Sequence, residues 1–350
     1  ASSWGRAPEN QARASSGTSS PAASSAEVSS KPPTWVSPMN TCGTLRRPPE
    51  RAILPAPGKP GVAQRSVHDA QNKMLLPGMP VRLEGQPATG DAAVDEAYDA
   101  LGASYDFFWK VLGRDSIDNK GFALVGSVHY GQGYENAFWN GAQMVFGDGD
   151  GEIFQRFTRS LDVVAHELAH GVTESEAGLV YANQSGALNE SLSDVFGILT
   201  KQFVLGHTVE QADWLIGADL LTAKIHGRGL RSMSHPGTAY DDPLLGKDPQ
   251  PDHMRRFVIT QEDNGGVHIN SGIPNRAFYL AARALGGFAW KKAGVIWYDA
   301  LCDKRLSPDA SFDAFARLTV DHAGQRFGAR EVEAVRRGWA QTGIDITEAE

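Results

Sequence analysis

Across residues 91–112 apolar side chains return at helical spacing, as Val94, Ala97, Tyr98, Leu101, Tyr105, Phe108 and Leu112, which predicts an amphipathic helix. The pattern then shortens. Residues 121–130 and 143–146 are compact apolar runs and read as strands. After them, 147–151 alternates Gly and Asp. Its carboxylates suit a cation, but the spacing lacks a full EF-hand loop, so a hairpin turn is expected. Helical spacing resumes at Leu161, Val164 and Leu168, with Ser160 placed to cap the helix. Further helices are predicted at 188–203, 274–285, 289–302, 311–325 and 329–341, with Gly286, Gly287 and Gly343 as stops. The order is a β-containing N-terminal part, one central helix and a helical C-terminal half. It predicts an α+β protein of two domains, 61–180 and 181–350.

The first 60 residues follow neither period. Residues 1–30 are mostly Ser, Ala, Gly and Thr, too poor in large apolar groups to offset ordering entropy, and are expected to be disordered. Pro32, Pro33, Pro38, Pro48, Pro49, Pro55, Pro57 and Pro60 then mark an extended linker or a prosegment, with Trp35, Val36 and Met39 as anchors. Net charge is −8 over 350 residues with no long basic run, which argues against a nucleic-acid partner. No apolar run reaches the roughly 18 residues of a membrane span. Two cysteines, Cys42 and Cys302, in unlike surroundings indicate neither a disulfide framework nor a Cys-Cys zinc site. Cys42 is expected to be an idle thiol rather than a plug for a metal site.

The central helix carries the chemistry. His166-Glu167-Leu168-Ala169-His170 places two imidazoles four residues apart, on one helical face, with a carboxylate beside the first. Both rings can reach one zinc ion while Glu167 projects toward its water. A catalytic zinc takes three protein ligands, so one is missing. Glu190, in Asn189-Glu190-Ser191-Leu192-Ser193-Asp194, is the best candidate, with Asp194 one turn on and able to orient a ligand imidazole. Without the histidines upstream, the same two acids would read as a solvated helix face.

Five stretches in one order carry a resemblance: 135–151, 166–170, 181–194, 230–234 and 263–272. From about Arg65 onward the chain resembles the thermolysin family of zinc metalloendopeptidases, and within it the protealysin group with short prosegments. The resemblance implies a two-domain zincin fold and one catalytic Zn2+ held by His166, His170 and Glu190, with Asp194 behind His166. It implies Glu167 as general base, His268 and Tyr181 at the oxyanion, and Asp263 orienting His268. Arg231 would bind a substrate carbonyl on the leaving-group side, and Asn136 with the Ala137 carbonyl would align the peptide. Phe154, Phe157, Val163, Ile216 and Leu230 would line the pocket for the residue after the cut. All five are apolar, so bulky hydrophobic residues are expected there. The partners implied are protein and peptide substrates, with the chain's own N-terminal segment possible in the cleft. Secretion is the family's usual fate, with cytoplasmic residence the alternative.

The chain departs from the family at the double calcium site. Asp162 is retained, but Lys201, Leu215 and Ala218 stand where acidic ligands are usual. The Lys201 ammonium is expected to pair with Asp162 in place of calcium. Pro32-Pro33-Thr34-Trp35-Val36 matches the related prosegments only loosely, so residues 1–60 read as prosegment, linker or unrelated sequence. Two rivals to the endopeptidase remain: a latent zinc protein that binds partners through the cleft, and a zinc exopeptidase.

Overall fold

A computed structural model describes residues 59–346. The expectations for residues 1–58, including Cys42 and the proline-rich tract, lie outside the described residues.

The N-terminal part builds a five-stranded sheet from β1 (Arg65–Asp69), β2 (Met79–Leu83), β3 (Leu124–Val128), β4 (Ala137–Trp139) and β5 (Met144–Phe146), in the order β2-β1-β3-β5-β4. β1, β3 and β5 run parallel, and β2 and β4 pair antiparallel at the two edges. α1 (Ala92–Leu112) crosses the sheet on its Leu101, Tyr105 and Phe108 face. Asp91 caps it by accepting from the Ala93 and Val94 amides, and Gly113 closes it in the left-handed conformation. β1, β2 and β4 were not predicted. They are three to five residues long, and β2 buries only Arg82, so pairing partners rather than local pattern create them.

Residues 147–151 are not a hairpin. The Gly147 and Gly149 amides donate to the Asn136 and Tyr134 carbonyls, and Asp150 gathers the amides of residues 152–154. The chain then leaves the sheet. This loop is latched by His129, a non-glycine residue at φ 53°, whose Nδ1 lies 2.8 Å from Asp148 and Nε2 3.2 Å from Asp91. The latch joins the α1 cap to the loop whose Gly147 amide holds the Asn136 carbonyl.

α2 (Leu161–Glu176) and α3 (Asn183–Leu205) form the centre. Ser160 stands at the α2 N-cap, yet its hydroxyl donates to Asp162 and makes no capping bond, contrary to expectation. α3 starts at Asn183, five residues before the predicted start. A Cβ on Gly197 would lie 2.5 Å from the Asp162 carbonyl oxygen, so only glycine permits α3 to approach α2 this closely. Lys201 Nζ sits 3.2 Å from Asp162, 3.1 Å from Asp213 and 3.4 Å from the Leu215 carbonyl.

A short ribbon, β6 (Leu215–Ile216) with β7 (Arg231–Ser232), then precedes α4 (Asp263–Asn270), α5 (Gly272–Leu285), α6 (Ala293–Cys302), α7 (Phe312–Arg326) and α8 (Ala329–Ala340). The helix predicted over 289–302 is interrupted at Lys292, with φ −126° and ψ −69°, leaving a 3-10 turn before α6. Phe278, Trp297, Phe315 and Trp339 fill the C-terminal core, the two indoles stacked at 5.9 Å. No described helix is long and apolar enough to cross a membrane.

Hydrogen bonding to Asp148, aided by Asp91 and opposed by burial, raises the His129 pKa to about 9. A raised pKa contributes stability that is complete below the unfolded value near 6.5 and disappears as pH climbs through 9. His129→Gln should therefore lower the unfolding free energy by on the order of 1 kcal/mol below pH 6.5. Denaturant titrations should show that difference shrinking across pH 6.5 to 9. A pH-independent difference would mean the charge of the imidazole contributes nothing.

Candidate active site

Helical geometry brings the two α2 histidines together, with ring centroids 4.6 Å apart. His166 Nδ1 donates to Asp194 Oδ1 at 2.8 Å, and His170 Nδ1 to Asn189 Oδ1 at 2.7 Å. Each imidazole is thereby left with an Nε2 lone pair, and the two Nε2 atoms face one another at 3.0 Å. Glu190 closes the third side, its oxygens 3.4 Å from His166 Nε2 and 3.5 Å from His170 Nε2. Three acceptors aimed at one point repel unless a cation lies between them. One nitrogen or oxygen from each of His166, His170 and Glu190 falls within 4.8 Å of the others, and all three residues are buried. The donor set is two imidazoles and a carboxylate, which suits zinc.

The electrostatics agree. Burial opposes a charged His166, yet Asp194 and Glu190 outweigh it and raise its pKa to about 10. Burial likewise opposes ionisation of Glu190, but His268, His170 and His166 hold its carboxyl well below the usual range. The pocket favours positive charge at its centre.

α3 supplies four groups from one face, Asn189, Glu190, Ser193 and Asp194. Asp194 is fully buried and also receives Arg231, whose Nε donates to Oδ2 at 2.7 Å and Nη2 to Oδ1 at 2.6 Å. Arg231 on β7 is thus held from behind, with Nη1 left over by these two bonds. Asn189 and Ser193, whose Oγ lies 3.0 Å from His170 Nδ1, escaped the sequence reading. Helical spacing around Glu190 and Asp194 was the signal for both.

Glu167 is buried beside the histidines and accepts from the Trp139 amide at 2.9 Å. A backbone amide leaves no trace in sequence, so this partner was not legible. The Trp139 amide points away from β5, across the free edge of the sheet. Two residues earlier on the same strand, the Ala137 carbonyl faces the same edge.

His268 lies in α4. Asn264, Gly265 and Gly266 take positive φ and kink the segment, so that Asp263 reaches His268 twice, at its amide (2.8 Å) and at Nδ1 (2.5 Å). His268 Nε2 sits 3.2 Å from the Tyr181 hydroxyl and 3.4 Å from Glu190, and Tyr181 donates to Glu190. Burial pushes the His268 pKa down, but Glu190 and Asp263 prevail and raise it. Phe154, Phe157, Val163 and Ile216 are buried in one apolar cluster, against which a partly exposed Leu230 packs. The Leu230 amide donates to the Ile216 carbonyl at 2.8 Å. Asn136 directly precedes β4, its carbonyl accepting from the Gly147 amide.

Comparison with known proteins places this arrangement. Residues 80–174 match the family model described as thermolysin metallopeptidase, catalytic domain, and residues 177–344 the thermolysin metallopeptidase alpha-helical domain. An "Extracellular metalloprotease" of Pectobacterium carotovorum subsp. carotovorum is 65% identical over 300 residues, covering 86% of this chain and 85% of that protein. "Protease PrtS" of a Photorhabdus strain is 54% identical, covering 81% and 77% respectively. The solved precursor of protealysin from Serratia proteamaculans superposes with a TM-score of 0.82 at 65% identity, covering 83% of this chain and 90% of that one. With both family models matched in order around a His-His-Glu metal site, the chain belongs to the thermolysin family of metalloproteases, beside protealysin.

Proposed function

We propose that the protein is a zinc endopeptidase that cuts internal peptide bonds on the N-terminal side of bulky hydrophobic residues. The observation that carries this reading is the convergence of the His166, His170 and Glu190 acceptors beside Glu167, with an open strand edge alongside. A zinc ion held there supplies a Lewis acid and makes water acidic enough to ionise near neutral pH.

The chain's own groups do the rest. Substrate backbone lies along the β4 edge, where the Ala137 carbonyl and Asn136 hold it as an added strand. Glu167, fixed by the Trp139 amide, takes a proton from the attacking water and delivers one to the departing amine. The Tyr181 hydroxyl and His268 Nε2 donate to the oxygen on which charge develops. The His268 pKa, raised by Glu190 and then Asp263 against burial, supports an imidazolium in that role. Arg231, braced by Asp194, offers Nη1 to a carbonyl on the leaving-group side. Phe154, Phe157, Val163, Ile216 and Leu230 receive the side chain after the cut, and Phe157 makes that pocket shallower than an aliphatic residue would.

The same reading extends to maturation, compartment and cations. Residues 1–60 act as a prosegment, a role supported by the likeness to the solved precursor of protealysin. Export is supported by the extracellular relative. Calcium is not needed at Asp162, because Lys201 already brings a cation to it.

Glu167→Ala should retain about one zinc per chain yet lose at least 10²–10⁴-fold in casein hydrolysis. It should also keep the N-terminus that the active form loses near residues 45–62. Peptide cleavage at the wild-type rate would refute the general-base assignment. A survey of cleavage sites in a denatured protein should show Leu, Ile or Phe after the cut; a charged preference would contradict the pocket. Calcium should leave the thermal midpoint of the wild type unchanged, whereas Lys201→Glu should make it calcium-dependent. Strong calcium stabilisation of the wild type that Asp162→Ala abolishes would overturn the lysine reading.

A further inference from the structure

Asn275 stands one turn into α5, among Ile273, Ala277, Phe278 and Ala281, and has no exposed surface. A buried amide on an apolar face is costly unless its hydrogen bonds are made. Both ends of this one are used. Nδ2 donates to Asp194 Oδ2 at 2.8 Å, and Oδ1 accepts from Ser191 Oγ at 2.8 Å. The amide orientation follows from chemistry, since an ionised Asp194 can only accept.

Asp194 thereby receives four hydrogen bonds, from His166 Nδ1, Arg231 Nη2, Arg231 Nε and Asn275 Nδ2. The first three come from α2 and β7. Only Asn275 reaches the carboxylate from α5, the element that follows directly on the His268 segment. Its backbone N–H donates to the Ser271 carbonyl, and the Ser271 hydroxyl donates to the His268 carbonyl. Its other end holds Ser191, next in sequence to Glu190.

From this placement we propose that Asn275 is a positioning residue of the zinc site. It sets the rotation of the Asp194 carboxylate, and through it the ring plane of His166. It also ties that setting to the segment bearing His268. Arg231 holds the carboxylate from the β7 side with two parallel bonds, and the Asn275 donor at Oδ2 holds it from the α5 side. The inference rests on the zinc reading of His166, His170 and Glu190.

The test is the rate at which zinc passes from the folded full chain to a chelator, followed with a zinc-sensitive dye. Asn275→Ala should speed release about 10–100-fold and lower kcat with KM within about twofold of wild type. Ser191→Ala, which frees the far end of the amide and leaves a smaller perturbation, should speed release less and in the same direction; it stands in should Asn275→Ala not fold. In an Asp194→Asn background the Asn275 and Ser191 changes should add nothing further, because Asn275 acts through that carboxylate. Release within twofold of wild type in the folded variants would overturn the proposal, as would the same acceleration in both backgrounds, which marks a merely structural amide. Wild-type protein that binds no zinc would overturn the zinc reading, and this inference with it.

Discussion

The active site depends on a carboxylate, Asp194, that has no exposed surface. Moving such a charge into the interior costs several kcal/mol unless partners replace its hydration. Asp194 recovers this through a bidentate guanidinium, an imidazole and an amide. Burial alone would favour the neutral acid, yet Arg231 and His166 hold its pKa below the normal carboxylate range. Because the donors come from α2, β7 and α5, one ion pins three elements of separate sequence origin to α3. His166 on α2 and Glu190 on α3 are brought to one point by that pinning.

The pinning works only because α2 and α3 approach closely. Gly197 lies against the Asp162 carbonyl, in the region where Lys201 meets Asp162 and Asp213. Burial lowers the Lys201 pKa, but the two aspartates prevail and raise it. Steric economy at one position and a charged side chain at the next turn therefore hold the same helix pair. The positive charge that the structure shows against Asp162 is the Lys201 ammonium.

On the opposite wall the free edge of β4 faces Glu167, the proposed general base. The strand is three residues long and depends on what surrounds it: the β5 ladder, the Gly147 and Gly149 amides, and the His129 latch behind them. A short edge strand resists adding a stray partner while remaining able to take one extended peptide.

Sequence alone determined the two histidines, Glu167 and the long helices, because a 3.6-residue period is local and survives reading in one dimension. It also placed Glu190 and Asp194 one turn apart. Tertiary structure decided the rest. β1, β2 and β4 exist because partners pair with them, not because their residues demand strands. The positive-φ kink at Asn264–Gly266 within α4 lets Asp263 hold the His268 ring that meets Tyr181. The Trp139 amide on Glu167 belongs to no side chain, and the Asn275 amide lies 81 positions from the carboxylate it serves. Contacts of that kind arise from chain segments meeting in space, and no local period records them.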